Sequence, residues 1–213
     1  MRWSDRPPQG ERQMVKEKIV VGITGASGAI YGLRLVEELL RAGCELSLLI
    51  TDAGRQVLAY ETGLQLEIDP TACAAQLRKH FATGDALRVF AMNDFFAPIA
   101  SGSSAPDAVV ICPCSMGTLG RIAAGLSDNL LERVADVALK EQRKLLLVPR
   151  ETPFNQLHLE NMLRLSRAGA QILPAMPGFY HRPQVVADLV DFVVGKVLDQ
   201  LGIEHQLFAR WGE

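Results

Sequence analysis

The sequence has few cysteines, few aromatic residues and no excess of positive charge. Among its 213 residues there are four cysteines, aromatic residues make up 6%, and 22 Lys and Arg face 24 Asp and Glu, for a formal net charge of −2. Without a positive field over the whole molecule, we expect it to bind neither nucleic acid nor an anionic membrane surface. Because the cysteines are irregularly spaced and residues 1–13 lack the apolar stretch of a secretory signal, we expect reduced thiols and a cytoplasmic protein.

Long hydrophobic runs are also lacking. The longest runs, residues 108–113 and 145–149, have the length of β-strands and are far too short to cross a membrane. A zinc site is not expected, because Cys112 and Cys114 are separated by one residue and no second Cys or His pair with ligand spacing follows. We therefore predict no metal, and we interpret Cys112 and Cys114 as small buried core residues.

The hydrophobic pattern predicts one α/β domain. Five runs rich in Val, Ile and Leu, at residues 18–24, 45–51, 108–112, 144–148 and 171–173, are typical of strands covered on both faces. Apolar residues recur at helical spacing in segments 30–40, 130–138, 159–165 and 186–197. This alternation predicts a three-layer α/β/α sandwich around a mainly parallel sheet. We expect a folded domain at residues 16–203, a disordered N-terminal tail at 1–15 and a C-terminal tail at 204–213.

Two further segments, residues 87–104 and 173–183, fit neither pattern and are predicted to be long functional loops. The first ends in SGSS, and the second is crowded with proline and glycine.

A glycine-rich turn, GITGASG at residues 22–28, connects the first predicted strand to a helix. The N–H groups at a helix N-terminus favour an anionic ligand, so a nucleotide cofactor is the working hypothesis. The turn lacks the Lys-Ser/Thr pair of a P-loop and the G-x-G-x-x-G spacing. It resembles the TGASG turn of short-chain dehydrogenases, with Asp52 as the candidate ribose acid, but no tyrosine here has the Lys four residues on that those enzymes need. A tight turn without a ligand stays open.

A second loop, CPCSMGT at residues 112–118, follows the third predicted strand. In doubly wound sheets ligands bind beyond the carboxyl ends of the strands, where this loop and the glycine turn should both lie. Ser115 and Thr118 are candidates for contacting a ligand, and capping of the next helix is the equally open alternative.

Charged residues form the third group. Arg133 and Lys140 are about two helical turns apart, so they share one helix face and could reach one anion, although a solvated face explains them equally well. Arg150 and Glu151 directly follow the fourth predicted strand and should point into the ligand crevice. Nothing in the sequence indicates a catalytic role for His158 or His181.

Taken together, these segments resemble the flavin prenyltransferase family of the UbiX type. The similarity covers residues 18–201 and is carried by TGASGAIYG, SGSSAPDAVVICPCSMGTL, NLLERVADVALKEQRKLLLVPRETPF, HLENMLRL and PAMPGFYHRP. It implies a flavodoxin-like, Rossmann-like flavoprotein domain that binds FMN and assembles into a homododecamer. The implied reaction transfers a dimethylallyl group from dimethylallyl monophosphate to reduced FMN without a metal. The product, prenylated FMN, would serve a partner decarboxylase, often in ubiquinone synthesis.

The resemblance also implies roles for individual residues. The expected FMN site consists of Gly25, Ala26, Ser27, Thr51, Ser115, Met116, Gly117, Thr118 and Arg150. Around the allyl phosphate we expect Arg133, Lys140, Arg150, Tyr180 and Lys196. Ser27 is expected near the reacting ring nitrogen, with Glu61 and Glu151 handling protons. Many relatives have Ser where this chain has Thr51, and relatives carry Arg or Lys at the position of Lys196.

The chemistry agrees with this assignment, because cleavage of an allylic C–O bond leaves a phosphate dianion that cations must stabilise. Two alternatives remain at this point. An FMN-dependent peptidyl-cysteine decarboxylase would share the architecture but would need an active-site His. A non-enzymatic flavin carrier would explain the glycine turns and leave the basic residues unexplained.

Overall fold

A parallel six-stranded sheet forms the centre of the fold, which a computed structural model describes for residues 16–210 and 212. The predicted tail at residues 1–15 lies outside the described residues. The strands are β1 (Lys18–Ile23), β2 (Glu45–Ile50), β3 (Leu87–Val89), β4 (Ala108–Cys114), β5 (Lys144–Pro149) and β6 (Gln171–Ile172). Their spatial order is β3-β2-β1-β4-β5-β6, and every neighbouring pair is parallel.

Seven helices cover the two faces of the described sheet, which confirms the predicted three-layer α/β/α sandwich. They are α1 (Ala29–Arg41), α2 (Asp52–Thr62), α3 (Pro70–His80), α4 (Met116–Ala123), α5 (Leu130–Lys140), α6 (Gln156–Arg167) and α7 (Val186–Leu201). Side chains of α1, α2, α3 and α7 pack in the core on one face. Those of α4, α5 and α6 pack in the core on the other. Central strands therefore have both faces buried, as their continuous Val, Ile and Leu runs require.

The sequence did not predict three elements of the fold, which are β3, α2 and α3. Segment 87–104, predicted as one irregular loop, begins with the strand β3 and contains two short 3-10 turns at Pro98–Ala100 and Gly102–Ser104. With three residues at the sheet edge, β3 offers too short an apolar run to be recognised. No helix was predicted where α2 and α3 lie. These helices bury few side chains, chiefly Leu58 in α2 and Cys73 and Leu77 in α3, so their apolar periodicity is weak.

The strand order reverses beside β1, between β2 on one side and β4 on the other. In sheets of this type the loops at the carboxyl ends of the strands splay apart at such a point and open a crevice. The glycine turn after β1 and the junction between β4 and α4 at Ser115 therefore lie side by side at this edge. The predicted CPCSMGT loop is shorter than expected, because residues 112–114 belong to β4 and residues 116–118 to α4.

The four cysteines are free and buried, and Cys112 and Cys114 lie in the core as predicted. Burial raises the pKa of the Cys114 thiol to about 12, so the group is neutral. Among the described residues, no helix is both long enough and apolar enough to cross a membrane.

Candidate active site

The glycine turn after β1 presents bare backbone at the carboxyl edge of the sheet. A Cβ atom at Gly25 would lie 2.6 Å from the Cβ of Ala53 in α2, so only glycine fits between the turn and that helix. Gly28 has a φ of 103°, a left-handed conformation that favours glycine. The turn thus combines close packing below with an exposed Ser27 above.

Glu61, in the last turn of α2, places its carboxylate at the N-terminus of α1. It accepts hydrogen bonds from the backbone N–H groups of Gly28 at 2.9 Å and Ala29 at 2.9 Å. Partial burial alone would raise the pKa of Glu61, but bonds from the Ser27 hydroxyl and these two N–H groups, with the charge of Arg150, outweigh it and lower the pKa. The anion at this helix N-terminus is therefore the protein's own carboxylate, which corrects our expectation that these N–H groups face a ligand.

Arg150 lies across the same turn. It follows β5 directly, and its Nε donates to the Ser27 carbonyl oxygen at 3.0 Å. The next residue, Glu151, accepts a hydrogen bond from the Thr152 N–H at 3.2 Å. Ser27 and Arg150 therefore meet at the carboxyl edge of the sheet, where Glu61 also reaches the glycine turn and Glu151 follows Arg150.

Thr24 connects the two loops. Its buried hydroxyl donates to the carbonyl oxygen of Pro113 at 2.8 Å and accepts from the N–H of Ser115 at 2.7 Å. Ser115 in turn caps α4 by accepting from the N–H of Thr118 at 3.3 Å. Because the first N–H groups of an α-helix point out of it, those of Met116 and Gly117 face the crevice edge.

Sequence reasoning missed Thr24, although the residue stands inside the motif that was singled out. The available signal was a hydroxyl residue at the end of a buried strand. Such a residue either finds a hydrogen-bond partner across the sheet or costs stability.

Replacing Thr24 with valine should lower the free energy of unfolding by about 1–3 kcal/mol, because the partly buried Ser115 N–H loses its acceptor while the shape of the side chain is kept. Thr24→Ser, which keeps the hydroxyl, is the matched control. Denaturant unfolding at a fixed protein concentration measures both. Equal stability of the two variants would mean that the hydroxyl does not hold the loops together.

Arg133 and Lys140 lie elsewhere in the protomer. Both contact the 98–104 segment: Arg133 Nε donates to the Ala100 carbonyl oxygen at 3.2 Å, and a Cβ at Gly102 would lie 3.2 Å from Lys140 Nζ. They thus share one helix face, as predicted. Lys140, however, ends α5 shortly before β5 begins, whereas Arg150 follows the end of β5. Within one protomer these two cations lie at opposite ends of the sheet.

Tyr180 and Lys196 form a third group, around Phe192 of α7. The Tyr180 ring packs edge-on against Phe192 with centroids 5.6 Å apart, and Lys196 Nζ lies 5.8 Å from the Phe192 centroid. The structure thus brings both side chains to the same ring, although they are 16 residues apart in sequence. Two of the expected phosphate-binding residues therefore lie against the 98–104 segment and two lie around Phe192.

No three His, Cys, Asp or Glu side chains gather into a metal-binding group within residues 16–210.

Comparison with known proteins identifies the family. Residues 8–198 match the model of the Flavoprotein family. A flavin prenyltransferase UbiX from Pseudomonas aeruginosa is 56% identical over 198 residues, covering 92% of this chain and 95% of that protein. The chain belongs to the flavin prenyltransferase family.

Solved structures agree. The structure of AnUbiX (PadA1) in complex with FMN and dimethylallyl pyrophosphate superposes with a TM-score of 0.83 at 39% identity, covering 93% of this chain and 98% of that one. A dodecameric FMN-dependent UbiX-like decarboxylase from Escherichia coli O157:H7 gives 0.82 at 42% identity, covering 92% and 100%. The cypemycin decarboxylase CypD has a TM-score of 0.56 at 16% identity and shares the fold alone.

Proposed function

We propose that this protein binds FMN at the carboxyl edge of its sheet and transfers a dimethylallyl group from dimethylallyl monophosphate to the reduced flavin. The observation that supports it most is the Ser27–Glu61–Arg150 cluster on a bare glycine turn, in a chain whose relatives are flavin prenyltransferases. The prenylated flavin would pass to a decarboxylase that uses it.

The residues at this edge fit a flavin. A Cβ at Gly117 would meet no atom within 4 Å, so there is open space for a ligand beside the α4 N-terminus. Thr51 and Ser115 add hydroxyl groups from the ends of β2 and β4. When bound, reduced FMN would supply the electron pair for the new bond to the allyl carbon, whose C–O bond breaks with release of phosphate. The chain's own task is to hold that ring, exclude water and move protons.

Ser27 and Glu61 are suited to moving a proton. Because the pKa of Glu61 is lowered, its carboxylate is ionised at neutral pH and accepts the Ser27 hydroxyl hydrogen. The Ser27 oxygen is then oriented as an acceptor toward a ligand N–H. A proton received by Ser27 can pass to Glu61 along this bond.

The departing phosphate needs cations and a proton donor, and Arg150 and Glu151 stand at the same edge for these tasks. We place Arg133 and Lys140 in the same site through a neighbouring subunit, and we assign Tyr180 and Lys196 to this site as well. Two arguments support this. Six residues of β5, at about 3.3 Å each, separate Lys140 from Arg150 in one protomer. A UbiX-like relative is dodecameric, so closed assembly is available to this fold.

The proposed reaction is tested by incubating the purified protein with reduced FMN and dimethylallyl monophosphate, followed by mass spectrometry of the flavin. We expect a mass gain of one five-carbon unit and release of inorganic phosphate. Unmodified flavin bound tightly by the protein would instead indicate a carrier, and the proposal would be wrong. Omitting the protein controls for spontaneous alkylation.

A further inference from the structure

The C-terminal segment, residues 204–210, packs against α7 at the turn that carries Lys196. A Cβ atom at Gly195 would lie 2.4 Å from the Phe208 ring and 2.7 Å from the His205 ring. Only glycine therefore allows the segment to pack this closely on α7. The Phe208 ring lies 5.0 Å from that of Phe192, and the His205 side chain is 2% exposed. The segment predicted as a tail therefore contacts the same aromatic group as the expected phosphate-binding residues.

Asp199, one turn along α7 from Lys196, is shared by three basic side chains. Its carboxylate lies 2.9 Å from Arg210 Nη2, 3.2 Å from His205 Nε2 and 3.6 Å from Lys196 Nζ. Partial burial alone would raise the pKa of Asp199, but the hydrogen bonds and charges of Arg210 and His205 outweigh it and lower the pKa. The carboxylate is thus ionised, and its shortest contact is with Arg210.

These contacts determine whether the Lys196 ammonium group is held by Asp199 or is available to a ligand. Lys196 Nζ lies 5.4 Å from the Phe208 centroid and 5.8 Å from the Phe192 centroid, so two ring faces support the ammonium group. A lysine alone with a carboxylate one turn away would pair with it. Because Arg210 already donates to Asp199, the longer Lys196 contact stays weak and the ammonium remains available.

We propose that Arg210 is a positioning residue for the substrate phosphate: by neutralising Asp199 it holds Lys196 over the Phe192 and Phe208 rings, free to bind that phosphate. The inference rests on the proposed function, through the role of Lys196. The match to the family model ends at residue 198, so neither Asp199 nor Arg210 lies in the matched region.

Steady-state kinetics of prenyl transfer, with dimethylallyl monophosphate as the varied substrate, tests the proposal. Arg210→Gln should raise KM about three- to fivefold, the scale of one partly exposed ion pair, with little change in kcat or in FMN affinity. Arg210→Lys should recover part of the loss. Arg41→Gln, which removes an exposed arginine paired with glutamates on α1, is the matched control and should leave KM unchanged.

The double variant Asp199→Asn/Arg210→Gln separates positioning from simple support of the fold. Without the carboxylate nothing captures Lys196, so the double variant should recover a KM near that of the parent. A KM as high as in Arg210→Gln alone, or a common loss of FMN affinity and thermal stability, would overturn the proposal. The variant Lys196→Met tests the phosphate role of Lys196 separately from the positioning role of Arg210. If it leaves KM unchanged, the phosphate role of Lys196 is wrong and the inference falls with it. If it raises KM while Arg210→Gln does not, the inference alone is wrong.

Discussion

Replacing Lys140 with alanine, or Glu151 with glutamine, is expected to lower prenyl transfer by roughly 10²–10³-fold, the scale for removing one group that stabilises a transition state. FMN affinity should be nearly unchanged, because Lys140 pairs with Glu141 and Glu151 accepts a hydrogen bond from the Thr152 N–H, both outside the glycine turn. Single-turnover transfer and flavin titration on the same preparations measure the two quantities. Lys79→Ala, at an exposed position on α3, is the matched control.

Mixing the two variants shows whether the site is shared between subunits. Lys140 precedes β5 and Glu151 follows it, so the proposed site takes them from different protomers. Oligomers assembled from equal amounts of Lys140→Ala and Glu151→Gln chains would then contain intact pairs at about a quarter of their sites. Co-expression with two affinity tags and tandem purification yields such oligomers. If they are no more active than either variant alone, the shared site is wrong, and if Lys140→Ala transfers at the parent rate, its phosphate role is wrong.

The sequence predicts best those parts of the fold that are buried most completely. β1, β4 and β5 read as strands because nearly every residue in them is covered on both faces. α2 and α3 cover the sheet with few side chains, so their apolar periodicity is too weak to detect. β3 is a strand because it pairs with β2, and the sequence of a three-residue segment does not reveal such a pairing.

In the candidate site, too, some residue positions follow from the sequence and others do not. Gly25, Ser27 and Ser115 belong to continuous loops after strands, and their place follows from the fold class. The position of Glu61 does not, because its carboxylate reaches the α1 N-terminus only through the packing of α2 on the glycine turn. The separation of Lys140 from Arg150 could have been predicted, since the strand between them had been recognised. What the order of elements in one chain cannot supply is the neighbouring subunit that would bring them together.

Replacing Glu61 with glutamine should lower prenyl transfer by roughly 10²–10⁴-fold, the range for losing a positioned general base. Glutamine keeps the size of the side chain but cannot take the proton from Ser27, and its amide N–H₂ opposes the donors that the carboxylate accepts. Ser27→Ala interrupts the same path one step earlier. If the two residues act as one unit, the double variant should be little slower than the slower single variant. Multiplied losses would mean that Ser27 and Glu61 act independently.

The pH dependence gives a second check with a definite sign. The folded pKa of Glu61 is lowered, so its ionised form, with the stability it contributes, is fully present above the unfolded value near 4.3 and is lost only as pH falls through the lower folded pKa. Transfer by the parent enzyme should therefore show no fall from this group centred above the ordinary glutamate value of about 4.3, measured as single-turnover rates with the flavin saturating. Four hydrogen-bonding and charged neighbours lower the pKa of Glu61. A fall in rate centred near pH 6 that Glu61→Gln abolishes would contradict this lowered pKa. The assignment of Glu61 as an ionised acceptor would then be wrong.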